Sequence, residues 1–184
     1  MKRVKINDLK KYLKSRSDNE LISEIVDLFK LSEEVQSFYG IKLDSEYERN
    51  LLDESIEKIE NQFFPSRGSQ VLNYKAIKQT ISDFKKVSKK PMYLAELLLR
   101  YAENGVDFTN EYGDIDQKFY NNIANAYDDA LTVISKNDLE KHFHGGCERI
   151  MMEASGIGWG FGDYIGELYY DIFGDVDGFD SEDE

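Results

Sequence analysis

The chain has 184 residues, 41% of them hydrophobic and 32% charged, with 11 Phe, 12 Tyr and 1 Trp, which favours one folded domain and excludes wholesale disorder. No apolar run of about 18 residues is present to cross a membrane. The net charge of −13 is uneven: residues 1–90 carry 18 Lys and Arg against 15 Asp and Glu, and residues 91–184 carry 5 against 21.

In chain order, helical periodicity dominates. Ile6, Leu9, Tyr12 and Leu13 repeat at helical spacing over a short first helix. Ser17 and Glu20 have the spacing of a capping box, and Leu21, Ile22, Ile25, Val26, Leu28 and Phe29 follow as a wide apolar stripe. Ser32 caps a third helix with Val35, Phe38 and Tyr39, which Gly40 is expected to end. Asp44 or Ser45 starts a long fourth helix that runs to Phe63, before Pro65 and Gly68 break the chain.

Asn73 is placed to cap a fifth helix, and Pro91 to open a sixth. Asn104-Gly105 is expected to end the sixth, leaving 106–116 as a polar loop. A seventh helix carries Phe119, Tyr120, Ile123, Tyr127, Leu131 and Ile134. Asn137 or Asp138 caps an eighth, with Phe143, Cys147 and Ile150. A glycine-dense turn from Ser155 to Gly162 precedes a last helix through Ile172. Residues 174–184 form an acidic, flexible tail, a candidate mimic of nucleic acid or dock for a basic partner. Only Ser69 to Leu72 is doubtful as strand. The expectation is an all-α fold of about nine helices, packed as a multi-helical bundle or as stacked, solenoid-like helical hairpins, over residues 1–173.

Three segments carry a resemblance: Phe63-Phe64-Pro65-Ser66-Arg67-Gly68, Gly105 to Ile115, and Ser155-Gly156-Ile157-Gly158-Trp159-Gly160-Phe161. With the leading helix pair they resemble a bacterial family of small cytoplasmic helical proteins known only as a domain of unknown function. The resemblance implies a helical fold and a bacterial cytoplasmic setting, and it implies no activity or catalytic residue.

The acidic half repels nucleic acid, whose binding requires a basic surface. Cys147 is the lone cysteine, so no internal disulfide forms, and a reducing cytoplasm is the expected compartment. His142, His144 and Cys147 fall within a turn and a half of helix, with His144 and Cys147 at i, i+3. They are the candidate metal ligands, although zinc takes four such groups and one helix face supplies two or three.

Asp107, Asn110, Glu111, Asp114 and Asp116 crowd one segment, and oxygen-rich loops suit a divalent cation such as Ca²⁺ or Mg²⁺. The alternative is turn chemistry: Asn110 and Asp114 in Asx-turns, Gly113 at positive φ and Asp116 as a helix cap. The glycines of 155–162 lack the spacing and the lysine of a phosphate loop. If the two segments meet, Trp159 and Phe161 form an apolar floor beside Asp107, Glu111 and Asp114. Truncation of a buried Trp159 then costs about 3–5 kcal/mol. The leading expectation is a non-enzymatic protein-interaction module with a protein partner, no catalytic residues and no required cofactor. The rival is a metal-dependent or small-molecule enzyme sited at 105–116 and 155–162.

Overall fold

The computed structural model describes residues 4–67 and 72–174. The acidic segment expected as a tail lies outside the described residues apart from Gly174, as do residues 69–71 of the doubtful strand window. Among the described residues there are nine helices and no strand. They fall into two compact units that divide between Tyr47 and Glu48.

The first unit holds α1 (Ile6–Lys14), α2 (Asp18–Leu31) and α3 (Glu33–Leu43). The capping box forms as expected: the Glu20 N–H donates to the Ser17 hydroxyl, and the Ser17 N–H donates to the Glu20 carboxylate at 2.8 Å. Ser32 likewise accepts from the Val35 N–H and starts α3. Tyr12 on α1 donates its hydroxyl to Glu24 on α2 at 2.7 Å. The end expected at Gly40 does not occur, and α3 continues to Leu43. Gly40 instead lets the Tyr47 ring lie against the backbone, where a Cβ would overlap ring carbons. No residue of these three helices is buried. Their apolar stripes face outward, with Ile6 73%, Ile22 60% and Leu28 55% exposed.

The second unit holds α4 (Tyr47–Phe63) from Glu48 onward, α5 (Tyr74–Val87), α6 (Pro91–Tyr112), α7 (Gln117–Lys136), α8 (Glu140–Ala154) and α9 (Phe161–Phe173). Asn73 caps α5 through the Ala76 N–H, and Pro91 opens α6 where its missing N–H costs no helical bond. α6 and α7 pack most extensively among the described helices, antiparallel, with Gly105 against Ile123 and Phe108 against Phe119, and α8 and α9 pack antiparallel, with Ala154 against Gly162 and His144 against Phe173. The core between them is aromatic: Phe63 of α4 meets Tyr101, Phe108 and Phe119 at ring-centroid distances of 5.9–6.4 Å.

Two expectations are corrected here. The sixth helix does not end at Asn104-Gly105; α6 runs for 22 residues to Tyr112. Gly105 is buried against Ile123 of α7, so it serves helix contact, and the buried Val106, Phe108 and Thr109 carry the helix onward. The cap expected at Asn137 or Asp138 is not made. Asn137 donates its side-chain amide back to the Val133 carbonyl, Asp138 takes a φ of 56°, and α8 starts at Glu140 with no side-chain cap. α8 runs unbroken through Gly145 and Gly146.

Candidate functional site

The two segments singled out by composition meet at the ends of α6 and α8. Asn110, on the last turn of α6, donates its side-chain amide to the Glu153 carbonyl of α8 at 3.1 Å. The Asp114 carboxylate accepts from the Tyr120 hydroxyl at 2.9 Å and lies beside Gly158, under 4 Å from where a Cβ would stand. The Tyr120 ring faces Phe161 at 5.0 Å between centroids. Gly113 takes a φ of 85° and ends α6, and Asp116 caps α7 through the Phe119 N–H at 2.7 Å. The expected Asx-turns at Asn110 and Asp114 are replaced by these two longer-range bonds, because Asn110 lies inside a helix.

The apolar floor is half correct. Phe161 is buried at 4% exposure, whereas Trp159 is 68% exposed. Trp159 occupies left-handed backbone, φ 61°, between Gly158 and the helix-starting Gly160. The indole walls a cleft of about 380 Å³ with Tyr164, Asn121 and Asn125. A wider cleft of about 740 Å³ lies between α5, α6 and α7, with Leu98 and Tyr101 below and Lys78 and Lys85 above.

The carboxylates do not share one task. Glu111 and Asp114 are exposed at the end of α6, and Asp114 is committed to Tyr120. Asp107 is held above the ordinary aspartate range by partial burial and then by the charges of Glu103 and Glu153, which outweigh Arg149 and Arg100. Glu103 is buried and paired with both Arg100, at 2.6 Å, and Arg149. This charge cluster joins α6 to α8. The sequence could have shown Arg100 and Glu103 at i, i+3, but not Arg149, which is 46 residues away.

The three candidate metal ligands are engaged separately. His142 is exposed, with its ring against Phe143 at 4.7 Å. The His144 Nε2 is 3.0 Å from the Tyr169 hydroxyl, and its ring meets Phe173. Cys147 is fully buried, and burial pushes its thiol up to about 12. Among the described residues no group of three or more His, Cys, Asp or Glu side chains could hold a metal ion. No described helix is long and apolar enough to cross a membrane.

The apolar stripes of the first unit form a surface. The stripes of α1 and α2 have the spacing of buried faces, yet Ile22, Ile25, Val26 and Phe29 are 39–60% exposed. The signal was available in the pairing: three short helices in succession supply little surface to one another.

Neither the curated proteins nor the solved structures contain a match to this chain. The helical fold, with its 105–115 and 155–161 segments meeting at the α6–α8 end, is matched over residues 4–169 by a family model, and the chain belongs to that family, DUF6155, a family of unknown function.

Proposed function

We propose that this chain is a non-enzymatic helical protein-interaction module of the bacterial cytoplasm, with residues 4–47 as its working surface. One observation carries the reading: α1, α2 and α3 bury no residue while exposing large apolar side chains along α1 and α2. An apolar stripe at helical spacing is made for burial. A contiguous exposed apolar surface is unfavourable in water and marks a place where another molecule sits. The lone, buried Cys147 is compatible with a reducing compartment.

The test is site-specific photo-cross-linking in the native host. A photoreactive side chain at Ile22 is expected to give discrete protein adducts, and one at the exposed Thr132 of α7 is expected to give none. Adducts at neither position, or equally at both, would overturn the reading.

A second reading is a small-molecule site, and with it an enzyme, at the 105–116 and 155–162 segments. The exposed Trp159 beside its cleft favours it. A ligand in that cleft would shield the indole from acrylamide quenching.

A further inference from the structure

The cleft of about 740 Å³ between α5, α6 and α7 has the size of a small-molecule site, about 300–1,000 Å³. One wall is a single face of α5, where Lys78, Ile81, Ser82 and Lys85 stand at i, i+3, i+4 and i+7. The facing stripe of α7 has the same spacing and runs from Asn122 to Asp129. Lys118, at the start of α7, sets its ammonium over the ring of Tyr74, at the start of α5. Lys78 and Asn122 each lie four residues past that contact, and Lys85 and Asp129 each lie eleven past it. Asp129 therefore stands at the Lys85 end of the cleft, and no acid lines the Lys78 end among the described residues.

Lys78 and Lys85 are exposed and make no ion pair among the described residues, whereas Lys86 is paired with Asp83 at 2.6 Å. They are about 10 Å apart along the helix, too far to hold one compact anion together. The floor is apolar, with Leu98 1% and Tyr101 2% exposed. The Tyr101 hydroxyl is buried and has no hydrogen-bond partner among the described residues. Burial, and then the neighbouring Tyr74, hold its phenol above the ordinary tyrosine range, so it stays protonated. The influence of Tyr74 sets that hydroxyl toward the Lys78 end. A buried donor left unmade is costly, and an acceptor on a bound molecule recovers the cost.

We propose that this cleft binds an amphipathic carboxylate, its apolar body over Ile81, Leu98 and Ala126 and its carboxylate between the Lys78 ammonium and the Tyr101 hydroxyl. A neutral apolar molecule leaves the ammonium unanswered, and a compact dianion would need both lysines at once. The site lies in the second unit, on the α5 side of α7, and goes beyond both readings given above.

The experiment is isothermal titration calorimetry of the full chain with decanoate, and with 1-decanol as its neutral counterpart. Decanoate is expected to bind saturably at one site, and 1-decanol at least about tenfold more weakly. Lys78→Met is expected to weaken decanoate about tenfold. Lys85→Met, whose charge Asp129 already offsets, is expected to change it less than about threefold. Ser82→Trp, at an exposed wall position, fills the cleft and is expected to abolish binding. Tyr101→Phe separates a ligand role from a structural one. Removing an unpartnered buried hydroxyl should leave the melting temperature unchanged or raise it, while decanoate binding weakens about fivefold.

No decanoate binding at millimolar concentration would overturn the proposal. So would equal binding of decanoate and 1-decanol, or equal losses from Lys78→Met and Lys85→Met. Tyr101→Phe that leaves decanoate binding unchanged would overturn it as well. Ile25→Glu on α2 is expected to leave binding unchanged. Binding that survives Ser82→Trp and is lost in Ile25→Glu would place decanoate on the α2 stripe and overturn the cleft.

Discussion

Gly105 of α6 lies directly against the side chain of Ile123 on α7, with no room between them for a methyl group. Both residues are buried, and the contact sits in the most extensive helix pair of the chain. An Ala here gains about 1 kcal/mol in helix propensity. It also forces apart a packed core, which costs about 1–3 kcal/mol. We expect Gly105→Ala to destabilise by up to about 2 kcal/mol net in urea unfolding. Gly145 and Gly146 in α8 have open space where a Cβ would stand. Their substitution by Ala is expected to stabilise by about 0.5–1 kcal/mol each, so the same change reverses sign with its surroundings.

Glu48 is buried near the start of α4, and its carboxylate accepts from the Lys89 N–H at 2.7 Å, the Ser88 hydroxyl at 2.8 Å and the Lys90 N–H at 3.1 Å. Burial raises its carboxyl, but those three donors together with the Lys90 charge outweigh it and leave the group below the ordinary glutamate range. A carboxyl depressed in the folded state contributes stability above its unfolded value. That contribution is lost as pH falls through the folded value. Glu48→Ala leaves the start of α6 without its acceptor and is expected to cost about 2 kcal/mol at neutral pH. The difference between variant and parent should shrink in thermal melts as pH is lowered below about 4.

Trp159 is the position where sequence and structure differ most in consequence. Its exposure means that Trp159→Ala removes little buried surface, and the expected change is under about 1 kcal/mol, not the 3–5 kcal/mol of a core aromatic. Its left-handed backbone means that Gly fits better than any L side chain, by about 1 kcal/mol. We expect Trp159→Gly to be neutral or stabilising in urea unfolding. In the parent, acrylamide should quench the indole readily.

The sequence was legible wherever a local rule decides the outcome. Ser17, Ser32, Asn73 and Asp116 cap helices because a side-chain oxygen meets an N–H two or three residues on, and Pro91 opens one for an equally local reason. Gly40 and Gly105 were misread because a glycine that ends a helix and a glycine that admits a neighbour look alike in one dimension. Only the Tyr47 ring and the Ile123 side chain distinguish them. The meeting of 107–114 with 153–161 was readable as a composition bias, whereas nothing in the local sequence distinguishes an exposed Trp159 from a buried one. The outward exposure of the α2 stripe is not legible in its spacing, which is also that of a core helix.

Asp107 offers a test of the α6–α8 charge cluster that is independent of stability. Partial burial raises its carboxyl first, Glu103 and Glu153 raise it further, and Arg149 and Arg100 act in the opposite direction. Glu103→Gln removes a like charge, so the Asp107 carboxyl should titrate lower than in the parent. Arg149→Met removes an unlike charge, so it should titrate higher. Carboxyl carbon shifts followed by NMR across the acid range read both directly. The linkage also runs opposite to that of Glu48. A carboxyl raised on folding favours the folded state below its unfolded value, and that advantage disappears as pH rises through its folded value. If Glu103→Gln left the Asp107 titration unchanged, the charges of Glu103 and Asp107 would not interact, and the cluster would be a set of separate surface pairs.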